Sequence, residues 1–371
     1  MLATCPKKDG FHMPAEFDRH LATCLIWPTR PGSWGRNPKK AQNAFANVIR
    51  EIAKGEKVFL VASAKHLPEA KNAVGDVAEL ITLDTDDSWA RDTCPTFVTN
   101  GSCVRGVNWQ FNAWGGDYDG LYASWKNDND LAPLLCDKLG LDCYDASPFV
   151  LEGGSVHSDG QGTIITTESC LLSPGRNPSL TKDEIEEKLK NYLGAEKTLW
   201  LPRGIVGDET NEHVDNVSAF IAPAKVVLAT TENRHDLQYE ASQEDLEYLK
   251  SACDARGRKI EVIPLPIPDF PVTLTASDCA EYDFEEGEDR REVGERLAAS
   301  YVNFYFCNNS VLVPQFGGRN EVSDRRALSI LANALPGRKI IGIPATDILK
   351  GGGNIHCITQ QIPDTKKSRR E

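Results

Sequence analysis

The sequence predicts an α/β fold: one domain spanning residues 1–371, a closed, propeller-like ring of five small mixed sheets with helices outside. Three observations carry this prediction. An apolar strand, a polar turn and a second apolar strand recur between amphipathic helices. The order helix, strand, hairpin returns at a period of roughly 70 residues, which is the mark of repeated structural units. The first strand-like segment, "TCLIWP", can pair with the last, "NIHCITQQ", to complete a fifth unit and leave no open sheet edge.

The helices are read from their periodicity. In "NPKKAQNAFANVIREIAKG", Ala41, Ala44, Phe45, Val48, Ile49 and Ile52 share one face. Asn37 is the expected cap, Pro38 suits the first turn and Gly55 ends the helix. "TKDEIEEKLKNYLG" opens with a capping box, Thr181 to Glu184, and stops at Gly194. "NDLAPLLCDKLG", "SQEDLEYLKSACDARG" and "SDRRALSILANALPG" complete the set.

Four hairpins follow from turn chemistry. They turn at Asn100-Gly101, at Asp159-Gly160, around Pro223 and at Asn308-Asn309. "KVFLVAS", "KTLWLP", "KIEVIPLP" and "RKIIGIP" supply single strands beside them. The segment "YDFEEGEDRREVGERLAAS" reads as acidic and exposed, and the basic tail, about 365–371, as frayed.

Composition narrows the function. Net charge is −13, a field that repels nucleic acid and anionic lipid and draws in small cations. No apolar run is long enough to span a membrane, and the first residues carry no apolar leader segment. The eleven cysteines form no C-x-x-C pair and no even framework, which points to a reducing cytoplasm. No zinc-type spacing or phosphate-binding glycine loop occurs, so neither a metal nor a nucleotide cofactor is expected.

Polar clusters interrupt the apolar pattern where hairpins begin: Trp89, Arg91 and Asp92 in "DDSWARDTCPTF", Glu152 in "VLEGGSV", Glu209, His213 and Asp215 in "DETNEHVDN", and Cys357 in "GGGNIHC". In a ring, equivalent positions of different units meet at the centre. Cys357 is then a candidate nucleophile, and its preceding glycines allow close approach. His213 is a candidate proton carrier. Asp92, Glu152 and Asp215 suit a planar guanidinium, whose N–H donors pair with carboxylates. Each residue also has a plain structural reading, as an inert buried thiol, a backbone-bonded histidine or a surface ion pair. For His157 and His356 that structural reading is preferred.

At these residues the chain resembles the agmatine deiminases, guanidino-group-modifying enzymes of pentein fold. The matching segments include "MPAEFDRHLATCLIWP", "DDSWARDTCPTF", "LEGGSVHSDGQGTIITTESCLL", "DETNEHVDN" and "GGGNIHCITQQIP", and they run from about Met13 to Pro363. The resemblance implies a five-module α/β propeller with pseudo-fivefold symmetry. It implies Cys357 as nucleophile, His213 as general acid and base, and Glu152 as a guanidinium partner that assists proton transfer. Asp92 and Asp215 would grip the guanidinium nitrogens, Glu209 would lie near the amine end, and Trp89 would wall the pocket. Agmatine, hydrolysed to N-carbamoylputrescine and ammonia, is the expected substrate. Free or peptidyl arginine is the alternative for the same machinery. A cysteine amidase or a non-catalytic polyamine binder are readings of other classes. The resemblance also implies a homo-oligomer, dimer or tetramer. Two residues depart from it: Cys94 and Glu212 stand where many relatives have glycine. Glu212 is expected to add negative charge near the mouth of the pocket.

Overall fold

The computed structural model describes residues 1–365, which form five small mixed sheets. All five share one plan, an antiparallel pair followed by a parallel strand. Thr96–Thr99 pairs antiparallel with Val104–Gln110, which pairs parallel with Cys143–Val150. His157–Ser158, Thr163–Thr167 and Lys197–Leu201 repeat that order. So do Ser218–Ala222, Lys225–Thr230 and Glu261–Pro266, and then Tyr305–Phe306, Ser310–Gln315 and Lys339–Pro344. In the remaining sheet the last strand, Gln360–Pro363, runs antiparallel to the first, His20–Ile26, with Thr23 opposite Gln361. Lys57–Ala62 then adds in parallel, and Glu79–Thr82 extends the sheet to four strands. All four turns expected from the sequence join antiparallel strands.

Central strands are apolar on both faces because both faces are covered. Val226, Val227 and Leu228 in sequence are all fully buried. Helix Lys39–Ile52 buries Phe45, Val48, Ile49 and Ile52, the stripe its spacing predicts. Its cap differs: Pro38 holds the cap position, and Asn37 only reaches Lys39 N at 3.4 Å. Helix Lys182–Leu193 carries the predicted capping box, with Glu184 N donating to Thr181 Oγ1 and Thr181 N donating to Glu184 Oε2. It ends at Gly194 with φ 74°.

The segment "NIHCITQQ" is not a strand throughout. Residues 355–358 form a turn, closed by Ile358 N donating to Asn354 O and Thr359 N donating to His356 O, and pairing starts only at Gln360. The left-handed Gly352, φ 117°, reverses the chain just before it. Cys357 therefore sits on a turn that leads into a strand. Of the tail expected to fray, Thr365 is buried, and 366–371 lie outside the described residues. No helix among the described residues is long and apolar enough to cross a membrane.

Candidate active site

Every hairpin is entered through a tight turn, and these turns meet. Ala90–Thr93, which carries Asp92, precedes the strand at Thr96. Glu152 caps the turn Gly153–Ser155 before His157. His213 caps Val214–Asn216, which carries Asp215, before Ser218. Asn303 precedes Tyr305, and Cys357 precedes Gln360. The turns are tied edge to edge. Arg91 N donates to Cys357 O at 3.1 Å, Gly154 N to Asp92 Oδ1 at 2.8 Å, and His356 N to Asn303 Oδ1 at 2.9 Å. Asp92, Glu152, His213, Asp215 and Cys357 are thereby brought together, and all five are buried.

The glycines make the approach possible. A Cβ on Gly154 would lie 2.6 Å from His213 Nδ1, 3.0 Å from Asp92 Oδ1 and 3.1 Å from Asp215 Oδ2. A Cβ on Gly353 would lie 2.6 Å from the Trp89 ring and 3.1 Å from Cys357 Sγ. Only a residue without a side chain fits either place.

A cavity of about 310 Å³ opens over these residues. Trp89, Asp92, Glu209, His213 and Cys357 line it, while Glu152 and Asp215 lie behind the lining. Cys357 Sγ is 3.5 Å from Asp215 Oδ2 and accepts from Asn303 Nδ2 at 3.2 Å. Burial, then Asp215 and Asp92, push its thiol pKa well above the ordinary value. Burial alone would depress His213. Asp92, Cys170 and Glu152 outweigh it and raise its pKa well above the usual value, which favours the imidazolium form. Burial raises the Asp92 pKa, and Asp215 and Glu152 add to the rise. His213, 3.9 Å away, opposes the rise. Glu152 is also fully buried, but Arg176 Nε lies 2.7 Å from Oε1 and holds its pKa down at about 2.

Several site residues are not singled out by the sequence pattern. Asn303 is one, although it holds the fourth hairpin's equivalent position in "YVNFYF", which is a signal the repeat contains. Arg176 is another. It pairs with Glu152, donates to Trp114 O, and donates to Asn211 Oδ1 at 2.8 Å and Thr210 O at 2.9 Å. No local motif marks it. Trp114, held at φ 65°, donates Nε1 to Asp92 Oδ2 at 2.9 Å. The segment expected to be exposed, 282–300, is exposed along its middle, at 285–287 and 292–294, but it also contributes Phe284, Glu288 and Arg291 to the cavity and buries residues 297–300. Arg291 Nη2 lies 2.6 Å from Glu209 Oε2, so Glu209 faces the cavity already paired.

His157 and His356 part company. His157 Nδ1 accepts from Phe220 N at 3.3 Å, as a structural histidine does, whereas His356 touches the site through Asp215 at 2.8 Å. Among the described residues, two clusters place ligand-type atoms within 4.8 Å: Glu16, His157 and His356, and Glu152, Cys170 and His213. Neither donor set suits a dication. His356 meets carboxylates at both ring nitrogens, which favours the imidazolium, and Arg176 already neutralises Glu152.

A family model described as Porphyromonas-type peptidyl-arginine deiminase matches residues 12–363. The chain belongs to this deiminase family. A Selenomonas ruminantium protein, named as a candidate agmatine deiminase, is 54% identical over 96% of this chain and 97% of its own. The solved agmatine deiminase of Enterococcus faecalis superposes with a TM-score of 0.94 at 43% identity, covering 98% of this chain and 99% of that one. An agmatine deiminase of C. jejuni, solved as a cysteine-to-serine variant with substrate bound, gives 0.80 at 27% identity, covering 96% and 97%.

The departure at Glu212 is of a kind the deiminase resemblance did not suggest. Glu212 does not line the cavity. Its Oε2 accepts from Ser169 Oγ at 2.8 Å and Gly204 N at 2.7 Å. Its φ is 68°, a conformation glycine adopts freely, so the two hydrogen bonds offset a backbone cost.

Proposed function

We propose that the protein is an agmatine deiminase, converting agmatine and water to N-carbamoylputrescine and ammonia. The observation that carries this is a buried thiol brought together with three carboxylates and a histidine at the foot of one cavity. A neutral carbonyl gains nothing from such an anionic site, whereas a guanidinium satisfies it. The 54% identical relative and the close E. faecalis structure support the same reading.

The reaction follows from the charges. Asp92 and Asp215 accept N–H donors of the guanidinium and hold its carbon against Cys357. The bound cation offsets the carboxylates that keep the thiol protonated, so the thiol gives up its proton to solvent as substrate binds and the thiolate forms. Sulfur adds to the central carbon. His213, already protonated, gives its proton to one terminal nitrogen, which leaves as ammonia. An amidino thioether remains on Cys357. Water then attacks that carbon as His213 takes its proton, and the tetrahedral adduct expels the thiolate to leave a urea group. Glu152, held ionised by Arg176, steadies the imidazolium on one side and the guanidinium on the other. Trp89 walls the alkyl chain, and Glu209 faces the distal ammonium.

Free or peptidyl arginine is the second reading. The family description and the guanidinium of Arg291 in the cavity favour it, since a carboxylate would seek such a partner. Arg291 is committed to Glu209, however, which leaves the cavity better matched to an ammonium. The five sheets are read as the blades of one propeller in a single domain, supported by their common strand plan and the pairing of first and last strands. A soluble cytoplasmic homo-oligomer, dimer or tetramer, completes the reading.

Ammonia release from agmatine against arginine tests the substrate, and a preference for arginine would overturn the agmatine assignment. Cys357→Ala should bind agmatine and release no ammonia. Mass spectrometry of the native enzyme, quenched during turnover, should find the amidino adduct on Cys357.

A further inference from the structure

His356 adjoins Cys357 in sequence but lies behind the cavity lining. Its Nδ1 is 2.8 Å from Asp215 Oδ2, and its Nε2 is 2.6 Å from Glu16 Oε2. A ring with a carboxylate at each nitrogen donates to both only as imidazolium. Glu16 is itself anchored. Its Oε2 pairs with Arg91 Nη2 at 3.3 Å, and its Oε1 accepts from Phe306 N at 3.0 Å. The two oxygens of Asp215 consequently differ. Oδ2 is taken by His356, whereas Oδ1 is buried and accepts no hydrogen bond. A buried, empty carboxylate acceptor beside the nucleophile is costly unless a donor arrives to fill it.

We propose that His356 is a positioning residue for deimination: it occupies Asp215 Oδ2, leaves Oδ1 as the acceptor for a substrate N–H, and offsets the Asp215 charge that opposes the Cys357 thiolate. The inference rests on the functional reading above. The charged and titratable groups around the ring are consistent with it. Burial alone would lower the His356 pKa, and Arg91 acts in the same sense, but Glu16 and Asp215 outweigh both and raise it. His157 stacks on the ring with centroids 6.1 Å apart and is kept neutral, its pKa lowered to about 4 chiefly by burial. His213 acts on Asp215 from the cavity side.

The test uses the full-length protein and two variants, His356→Asn and Glu16→Gln. The first readout is the rate of Cys357 alkylation by iodoacetamide as a function of pH, with Cys357→Ala subtracting the other cysteines. Removing the His356 charge should slow alkylation about tenfold at a given pH, equal to a rise of about one unit in thiol pKa. The second readout is the pH profile of agmatine turnover. With one carboxylate lost in Glu16→Gln, His356 sheds its proton at lower pH, so activity should fall at lower pH than in the native enzyme. A folded His356→Asn with unchanged alkylation overturns the inference. If His356→Asn does not fold, an unmoved alkaline limb in Glu16→Gln overturns it. Native protein that fails to turn over agmatine would overturn the functional reading instead, and the alkylation rates would still decide the role of His356.

Discussion

Gly154→Ala places one methyl group where three turns of the site meet. The new Cβ would stand 2.6 Å from His213 Nδ1, 3.0 Å from Asp92 Oδ1 and 3.1 Å from Asp215 Oδ2. Ordinary contact needs ~3.5 Å, so the His213 ring or the Gly153–Ser155 turn must shift by roughly 0.9 Å. The backbone at Gly154 is not in the left-handed region, so an alanine there adds steric crowding and no dihedral strain. Gly154 N also donates to Asp92 Oδ1 at 2.8 Å, which means that a moving turn drags the Asp92 carboxylate with it. A misplacement of ~1 Å at reacting groups costs on the order of a hundredfold in rate. Overpacking costs ~1–3 kcal/mol of stability, a fall of a few degrees in Tm for a chain of this size. The expected outcome in an agmatine-dependent ammonia assay is kcat lower by about two orders of magnitude in a protein that still melts cooperatively. Gly337→Ala is the control, since nothing lies within 4 Å of its Cβ position. A Gly154→Ala enzyme with kcat within about threefold of native would show that the clustered residues do not act as one geometric unit.

Two further substitutions probe the buried charges. Arg176→Met strips Glu152 of its cation and should cost about 3–5 kcal/mol in urea unfolding, because an uncompensated charge is left buried. The same pair sets a pH window. The Glu152 pKa is about 2 in the folded protein against an ordinary 4.5, so its stabilisation is complete above about 4.5 and fades as pH falls toward 2. Unfolding curves across that range should show this loss in the native protein and a flatter response in Arg176→Met; identical slopes would refute the pairing. Glu209→Gln leaves Arg291 unneutralised in the cavity and should raise the KM for agmatine about five- to tenfold, with a smaller change in kcat. An unchanged KM would place the ammonium elsewhere.

Much of this architecture is legible in the chain because it depends on short-range rules. Periodic apolar residues mark Lys39–Ile52, reciprocal capping marks Lys182–Leu193, and turn residues mark all four hairpins. The candidate nucleophile, base and carboxylates are legible for a related reason. They interrupt apolar strand entries where a buried strand would otherwise continue. Less legible are groups whose role is set by a partner far away in the chain. Arg176 meets Glu152 and Asn303 meets Cys357 only after folding; no motif marks Arg176, and the repeat alone points to Asn303. The 282–300 segment looks solvated by composition, yet Arg291 is drawn in by Glu209. "NIHCITQQ" has strand composition, but the reversal at Gly352 and the turn hydrogen bonds prevail over it up to Gln360.

"KGGGNIHCITQQIP" shows where the division falls. By itself the sequence determined that a flexible glycine run precedes a cysteine at the opening of a strand, because backbone freedom and apolar patterning are local properties. Only the tertiary structure decided why each glycine is needed: a Cβ on Gly351 would strike the Trp34 ring, Gly352 lies beside Arg291 and Glu209, and Gly353 packs beneath Trp89 and Cys357. It also decided the ionisation of the site. Charges on separate turns become one coupled set when folding removes water and brings them within a few ångströms, and no local pattern encodes that energy.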